Sequence, residues 1–156
     1  MAPFSVAHFR RAYEENLITP SKVYQIGLRG TGYTSEDFTE AEGWGFNTVL
    51  AKDLWHQSLT PLAKTIKDAI GDQPCYITYD IDSLDPAYAP GTGTPEIGGL
   101  TTPQAMELIR GLNGLNIVGC DLVEVSPPYD PSGNTALTAA NILYELLCIL
   151  PGVENK

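Results

Sequence analysis

The sequence predicts an α/β fold built on parallel strands, and two observations carry this prediction. First, four short runs of apolar and β-branched residues, at 23–28, 46–51, 76–79 and 117–125, alternate with segments of helical periodicity. Strands that alternate with helices form parallel sheets with right-handed crossovers. Second, the chain has 156 residues, of which 43% are hydrophobic and 18% are charged, and this suffices for one packed domain.

Local sequence patterns predict each helix and strand of the amino-terminal half. Apolar residues recur at helical spacing over 9–17, with charged residues on the opposite face, and Thr19-Pro20 ends this predicted helix. The strand at 23–28 leads into a loop at 29–32. The acidic segment Ser35 to Glu42 is predicted to hold one or two helical turns before the second strand.

The carboxyl-terminal half continues the alternation. Thr60-Pro61 begins a helix that ends at Gly71, a natural residue for a helix C-terminus. The strand at 76–79 is predicted to be buried on both faces, as parallel strands usually are. Thr102-Pro103 begins another helix, and residues 137–150 form a closing helix that is apolar nearly all round and therefore predicted to be largely buried.

Two acids follow the third strand. In an extended chain Asp80 and Asp82 would share a face, with their Cα atoms about 6.6 Å apart. Two buried carboxylates are costly unless a cation or hydrogen-bond donors compensate them, so a divalent metal is one interpretation. A calcium loop is discounted, because it requires a Gly at its sixth position, where Asp85 stands. Asp85 itself is predicted to cap its own turn, and spacing alone leaves the metal interpretation open.

The Pro- and Gly-rich loop at 83–99 shows no clear period, and a loop of this length is usually functional. We expect it to form the wall of a site. The run Gly91-Thr92-Gly93 is not a phosphate loop, because no Lys follows it and Glu96 stands close behind. Glu124 follows the fourth strand, and because parallel strands end at one edge, we expect it near Asp80 and Asp82. On spacing alone, Glu124 would be a salt-bridge partner.

Charge and cysteine content narrow the partners and the location. A formal charge of -10 argues against binding nucleic acids or anionic membranes and is compatible with a cationic substrate. Three cysteines in apolar segments, without metal-ligand spacing, predict free buried thiols in a reducing compartment. No run is apolar enough to span a bilayer, and no targeting segment is visible. We expect a soluble intracellular protein, mitochondrial or cytoplasmic.

The stretch DIDSLDPAYAPGTGTPEIGGLT at 80–101 resembles the manganese-binding signature of the ureohydrolases, the arginase and agmatinase family. The resemblance continues through 119–130 and 132–137, covers most of 9–151, and is strongest to the agmatinase branch, which includes the mitochondrial guanidino-acid hydrolases. It implies a three-layer α/β/α sandwich with a parallel sheet. Family members are about twice as long, so residues 1–156 are expected to be the carboxyl-terminal half of that domain.

The resemblance also implies a reaction and its residues. Family members hydrolyse a guanidino compound to urea and an amine with a pair of Mn²⁺ ions, and they are expected to form homo-oligomers. Asp80 and Asp82 match metal ligands, Glu124 matches the carboxylate that holds the guanidinium group, and Thr94 matches a hydroxyl that lines the site. A turn-stabilising Thr is an equally good local interpretation of Thr94. His8 is a candidate proton shuttle, although alignment on Phe9-Arg10-Arg11 puts Ser5 at that place.

One part of the family pattern is absent. The sequence contains neither the Gly-Gly-x-His element nor the Asp-x-His-x-Asp element that supply further metal ligands in the family, and its only histidines are His8 and His56. Two carboxylates cannot satisfy two Mn²⁺ ions. Two hypotheses follow: the chain is part of a longer manganese-dependent hydrolase and is inactive by itself, or it is a non-catalytic product that acts only as an oligomer or interaction partner.

Overall fold

The computed structural model describes residues 4–30 and 39–153, without the side chains of 4–7. Helices and strands alternate along the chain, which confirms the predicted α/β fold. The elements in order are α1 (Phe4–Glu14), β1 (Tyr24–Leu28), α2 (Glu40–Gly43), β2 (Asn47–Leu50), α3 (Thr60–Ile70), β3 (Cys75–Asp80), α4 (Thr102–Gly111), β4 (Ile117–Val123) and α5 (Asn134–Cys148). Residues 35–38 of the predicted acidic segment lie outside the described residues, and α2 accounts for its end.

The four strands form two parallel pairs. β1 pairs with β2, and β3 pairs with β4, so the described strands do not form one continuous sheet. The pairs meet at the carboxyl ends of β1 and β3, where β1 contacts a 3-10 turn at Ile81–Ser83. The approach is close at Gly27, since a Cβ atom there would lie 3.8 Å from the side chains of Ser83 and Leu100. The carboxyl ends of both pairs therefore face one region.

Capping interactions fix both ends of α3. Gly71 ends α3 at φ 60° with its N–H donating to the carbonyl of Lys67, as predicted from the sequence. The Glu107 carboxylate of α4 accepts hydrogen bonds at the start of α3 from the Ser58 hydroxyl, the Leu59 N–H at 3.0 Å and the Thr60 hydroxyl at 2.7 Å. These donors lower the pKa of Glu107 to about 2. The carboxylate thus satisfies helix N-terminal groups and joins the two helices.

The core lies between the helices and one face of the β3–β4 pair. α3 packs against α4, α4 against α5, and α5 against β4. Ile66, Ile109, Ile142 and Leu146 bring the apolar stripes of the three helices together against Tyr79. This buried layer holds the carboxyl end of β3 in place.

The opposite face of the β3–β4 pair, which we call the outer face, is exposed. Tyr76 is 59% exposed and Val118 is 65% exposed, so the prediction that the third strand is buried on both faces is wrong. The described residues place their helices on the core side only, and the outer face is hydrogen-bonded instead. Both Asp121 oxygens accept hydroxyl hydrogen bonds, from Tyr76 at 2.8 Å and from Thr78 at 2.6 Å.

One side of α5 is also exposed. Leu137, Leu143, Tyr144 and Leu147 are between 39% and 66% exposed, whereas Ile142 and Leu146 are buried. The prediction of a largely buried closing helix is therefore wrong. Its composition is apolar nearly all round, as the sequence indicates, but α4 and β4 cover only one side. The cysteines at 75, 120 and 148 are likewise half-buried and outside any disulfide bond, where buried thiols were predicted.

Candidate active site

Asp80 and Asp82 lie at the carboxyl end of β3. The strand ends at Asp80, and the chain enters the 3-10 turn, with the Asp80 carboxylate accepting a hydrogen bond of 3.1 Å from the Asp82 N–H. The prediction of an extended chain through Asp82 is therefore wrong. Ile81, which is fully buried, anchors the turn in the core, so the chain folds there instead of continuing as a strand.

Glu124 follows β4 directly. β4 pairs with β3 so that Val123 stands opposite Asp80, and Glu124 is the next residue. Its φ of +68° is a left-handed conformation, which is uncommon for a residue with a side chain and is found mainly at turns and functional sites. The structure therefore brings Asp80, Asp82 and Glu124 to one edge, as expected, and we call these three residues the acid cluster.

The electrostatics of the acid cluster are unfavourable in the absence of positive charge. Burial, followed by the charges of Asp82 and Glu124, raises the pKa of Asp80 to about 7 against the opposing hydrogen bond from the Asp82 N–H. Burial and like charges both disfavour the ionised form of a carboxyl group. A cation placed among these carboxylates would attract the ionised form and so oppose both effects.

Thr94 completes one side of the acid cluster. Its hydroxyl donates a hydrogen bond of 2.8 Å to the Asp82 carboxylate. Thr94 belongs to the loop at 83–99, which we call the site loop, so the loop folds back over the turn that carries Asp82. Four of its residues and Tyr129 line a cleft of about 240 Å³, in agreement with a loop that forms the wall of a site; the loop residues are Pro90, Thr92, Gly93 and Pro95.

Asp85 organises the base of the site loop. Its carboxylate accepts hydrogen bonds from the N–H of Ala87 at 2.9 Å and of Gly98 at 2.8 Å, and also from Gly99. The prediction that Asp85 caps its own turn is confirmed. These backbone donors hold its pKa below the usual value. Asp85 therefore closes the loop where it begins and ends.

A buried contact fixes the middle of the site loop. The Gly91 N–H donates a hydrogen bond of 2.8 Å to the Thr135 hydroxyl, and the Gly91 carbonyl accepts one from Ser126. A Cβ atom at Gly91 would overlap the Cβ atom of Asp130, whose carboxylate accepts from the first N–H groups of α5. Thr92 then pairs with Val125, next to Glu124. The loop is thereby held beside the acid cluster.

Arg29 is a residue of this region that the sequence did not single out. Its guanidinium group donates to four backbone carbonyls, which belong to Gly27, Asp82, Leu84 and Glu96. The sequence signal that could have indicated Arg29 is its position, directly after β1 at the carboxyl edge of the sheet and before Gly30. Nothing in the sequence indicates contacts with residues more than 50 positions away.

His8 lies apart from these interactions. It is an exposed residue of α1, and the described contacts of α1 are with the region of α2, where Tyr13 stacks on Trp44 and Arg10 pairs with Glu40. In residues 4–30 and 39–153, no described contact joins His8 to the acid cluster. Its predicted role as a proton shuttle receives no support from the described contacts and stays untested.

The described residues do not by themselves fit a pair of metal ions. No group of three or more His, Cys, Asp or Glu side chains within 4–30 and 39–153 is arranged to hold a metal ion. Mn²⁺ prefers about six ligands, and Asp80 and Asp82 offer only four oxygens to two such ions. These two carboxylates can supply part of a metal site but not the whole of it.

Comparison with known proteins identifies the fold and the family. The structure of proclavaminate amidino hydrolase from Streptomyces clavuligerus superposes with a TM-score of 0.83 at 40% identity, over 89% of this chain and 46% of that one. The chain thus has the arginase fold. The arginase family model matches residues 5–148, and the chain belongs to the arginase family.

Two relatives indicate to which branch of the family the chain is similar. Guanidinobutyrase of Pseudomonas aeruginosa is 60% identical over 97% of this chain and 48% of its own length. The mitochondrial guanidino acid hydrolase of Homo sapiens is 58% identical over 96% of this chain and 42% of its own length. The chain spans about half the length of the curated relatives it matches. The resemblance to the agmatinase branch, which includes the mitochondrial guanidino-acid hydrolases, is confirmed.

Proposed function

We propose that residues 1–156 are the carboxyl-terminal half of a hydrolase that converts a guanidino compound, agmatine or a guanidino acid, to urea and an amine. Family membership and the activities for which the two relatives are named support this proposal. The observation that carries it is the acid cluster, because three carboxylates at the carboxyl edge of parallel strands favour a bound cation. Both a guanidinium group and a divalent metal meet that requirement.

The proposal gives each residue of the region a role. Asp80 and Asp82 are metal ligands, and Mn²⁺, two ions in the complete site, is the proposed cofactor. Because the described residues lack the remaining ligands, the proposal places those ligands in the half that this chain lacks relative to its relatives. Glu124 holds the guanidinium group by paired charge-assisted hydrogen bonds, each worth about 1.5–3 kcal/mol. Thr94 orients the Asp82 carboxylate through the bond at 2.8 Å.

The second candidate is a non-catalytic chain that acts as an oligomer or interaction partner. The absence of a three-ligand group within 4–30 and 39–153 favours it, together with the exposed apolar side of α5. For the hydrolase proposed first, the formation of homo-oligomers and a mitochondrial or cytoplasmic location stay predictions.

Within the described residues, no helix combines the length and the apolar character needed to cross a bilayer. Neither nucleic acid nor membrane binding is proposed.

A fusion protein separates the two candidates. The amino-terminal half of the P. aeruginosa guanidinobutyrase is joined to this chain, and urea release is measured with Mn²⁺ and a panel of guanidino acids and agmatine. The proposal expects urea from the fusion and only background from this chain alone. Asp80→Asn, Asp82→Asn and Glu124→Gln should each abolish urea release, whereas Asp72→Asn, at an exposed turn, should leave it unchanged.

The outcomes are distinct. A folded fusion that binds Mn²⁺ and releases no urea from any substrate would favour the non-catalytic candidate. Urea release by the 156-residue chain alone would contradict the assignment of missing ligands to another half. Preference of the fusion for a guanidino acid or for agmatine would place it in one of the two activity classes.

A further inference from the structure

We propose that Arg29 is a positioning residue, which sets the geometry between Asp82 and Thr94 by joining the two ends of the site loop. This inference rests on the proposed function for its meaning in catalysis. Its structural content rests on the contacts of the guanidinium group alone. Arg29 is half-buried, directly follows β1, and makes no described contact with a substrate-facing carboxylate.

The contacts reach both sides of the bond between Thr94 and Asp82. On the turn side, Arg29 Nη2 donates to the carbonyls of Asp82 at 2.6 Å and Leu84 at 3.1 Å. On the loop side, Nη2 and Nε donate to the carbonyl of Glu96 at 2.7 Å and 3.1 Å. Glu96 stands two residues after Thr94. The rigid guanidinium group of Arg29 thus fixes both the backbone of Asp82 and the backbone close to Thr94, whose hydroxyl bonds to Asp82.

Two glycines make room for this arrangement. At Gly99 a Cβ atom would lie 2.8 Å from Arg29 Nη2 and 2.5 Å from the Asp85 nitrogen. At Gly30, which has φ +87°, a Cβ atom would lie 3.0 Å from the Glu96 side chain. Real Cβ atoms do not approach backbone this closely. The close packing against the guanidinium group therefore requires a glycine at 99, whereas at 30 a side chain would meet the Glu96 side chain and be strained by the positive φ.

The geometry requires arginine in particular. Its guanidinium group is planar and carries five N–H donors in a fixed fork, whereas lysine has one ammonium group with three donors. A lysine at 29 keeps the charge but has no counterpart of Nη1 and Nε, which donate to the carbonyls of Gly27 and Glu96, and its single nitrogen lacks the fixed plane that aims Nη2 at Asp82. Charge and positioning are therefore separable by Arg29→Lys.

The first experiment uses the 156-residue chain and does not depend on catalysis. Amide hydrogen exchange is followed by mass spectrometry in Arg29→Lys, Arg29→Ala and the control Arg110→Lys, whose exposed partner is Glu145. Because several hydrogen bonds are lost, exchange in 82–100 should rise about tenfold or more in both Arg29 variants, with α3 unchanged. Methylguanidinium should restore protection in Arg29→Ala but not in Arg29→Lys. Wild-type exchange in Arg29→Lys would overturn the proposal.

The second experiment uses the fusion described above. Arg29→Lys should lower kcat by about 10- to 100-fold with little change in KM, because misplacement of reacting groups costs rate more than binding. A rise in KM with kcat unchanged would overturn the proposal, since Arg29 would then bind substrate. If the wild-type fusion is inactive while exchange behaves as expected, the proposed function fails and the structural role of Arg29 stands.

Discussion

Replacing Asp80 by Asn tests whether the acid cluster strains the isolated chain. The pKa of Asp80 is about 7 in the folded chain, against an ordinary value of 3.8. Because the folded pKa is raised, the folded state binds the proton more tightly than the unfolded state does. The stabilisation that comes from the protonated Asp80 carboxyl group is fully present below pH 4 and is lost as the pH rises through 7. Above pH 7 the ionised carboxylate destabilises the fold.

The size of the effect follows from the shift. Each pKa unit corresponds to about 1.4 kcal/mol, so a rise from 3.8 to about 7 gives an upper limit of about 4 kcal/mol. Asp80 is partly exposed, and solvent screening reduces this to about 1–2 kcal/mol. Asn keeps an oxygen that can accept from the Asp82 N–H. We therefore expect Asp80→Asn to raise the free energy of unfolding by about 1–2 kcal/mol at pH 8, and by less at pH 5.

Urea unfolding followed by circular dichroism measures this change. The chain is kept at a fixed low concentration with a chelator. The slope of the free energy of unfolding against urea concentration must be equal in all variants. Asp72→Asn is the control, since Asp72 is exposed. If Asp80→Asn is less stable than the wild type at pH 8, or shows the same gain at pH 5 as at pH 8, the carboxylates do not repel one another as described.

Three further predictions concern the frame around the site. Asp130→Ala removes the acceptor of the Thr135 and Ala136 N–H groups and should lower the free energy of unfolding by about 2 kcal/mol in the same assay. Glu107→Gln should lower the urea midpoint at pH 7, and the difference should shrink as the pH falls from 4.5 towards 2, because the folded pKa is lowered. Leu143→Glu with Leu147→Glu should increase the monomer fraction in sedimentation, since the wild-type chain is expected to associate through exposed apolar surface; a monomeric wild type would contradict this.

The sequence predicts those features of the fold and site that depend on local signals. The alternation of strands and helices, the end of α3 at Gly71 and the turn capped by Asp85 each follow from residues within a few positions of one another. The acid cluster is also predictable, because parallel strands end at one edge whatever their order. Its location required only the strand assignments at 76–79 and 117–125.

The features that were missed depend on contacts between distant segments. The 3-10 turn at Ile81–Ser83 forms because Ile81 is buried, and this burial is set by packing that no local pattern shows. Glu107 caps a helix almost 50 positions earlier, and Arg29 contacts residues up to 67 positions later. The exposure of Tyr76 likewise depends on which side of the pair the helices cover. Periodicity marks an apolar face but does not say what covers it.

The residues around the acid cluster are held by hydrogen bonds, whereas the ionised form of Asp80 within the cluster is disfavoured. Hydrogen bonds hold the surroundings at several points: Asp121 on the outer face has donors to both oxygens, and the site loop is held by Arg29, Asp85 and Thr135. At the tip of β3, burial first and then the charges of Asp82 and Glu124 raise the pKa of Asp80 and so disfavour its ionised form. A carboxyl group whose ionised form is disfavoured, beside a loop that several hydrogen bonds hold in place, indicates a place for a cation rather than a poorly packed end. This distinction is what Asp80→Asn measures, because a packing defect would not depend on pH.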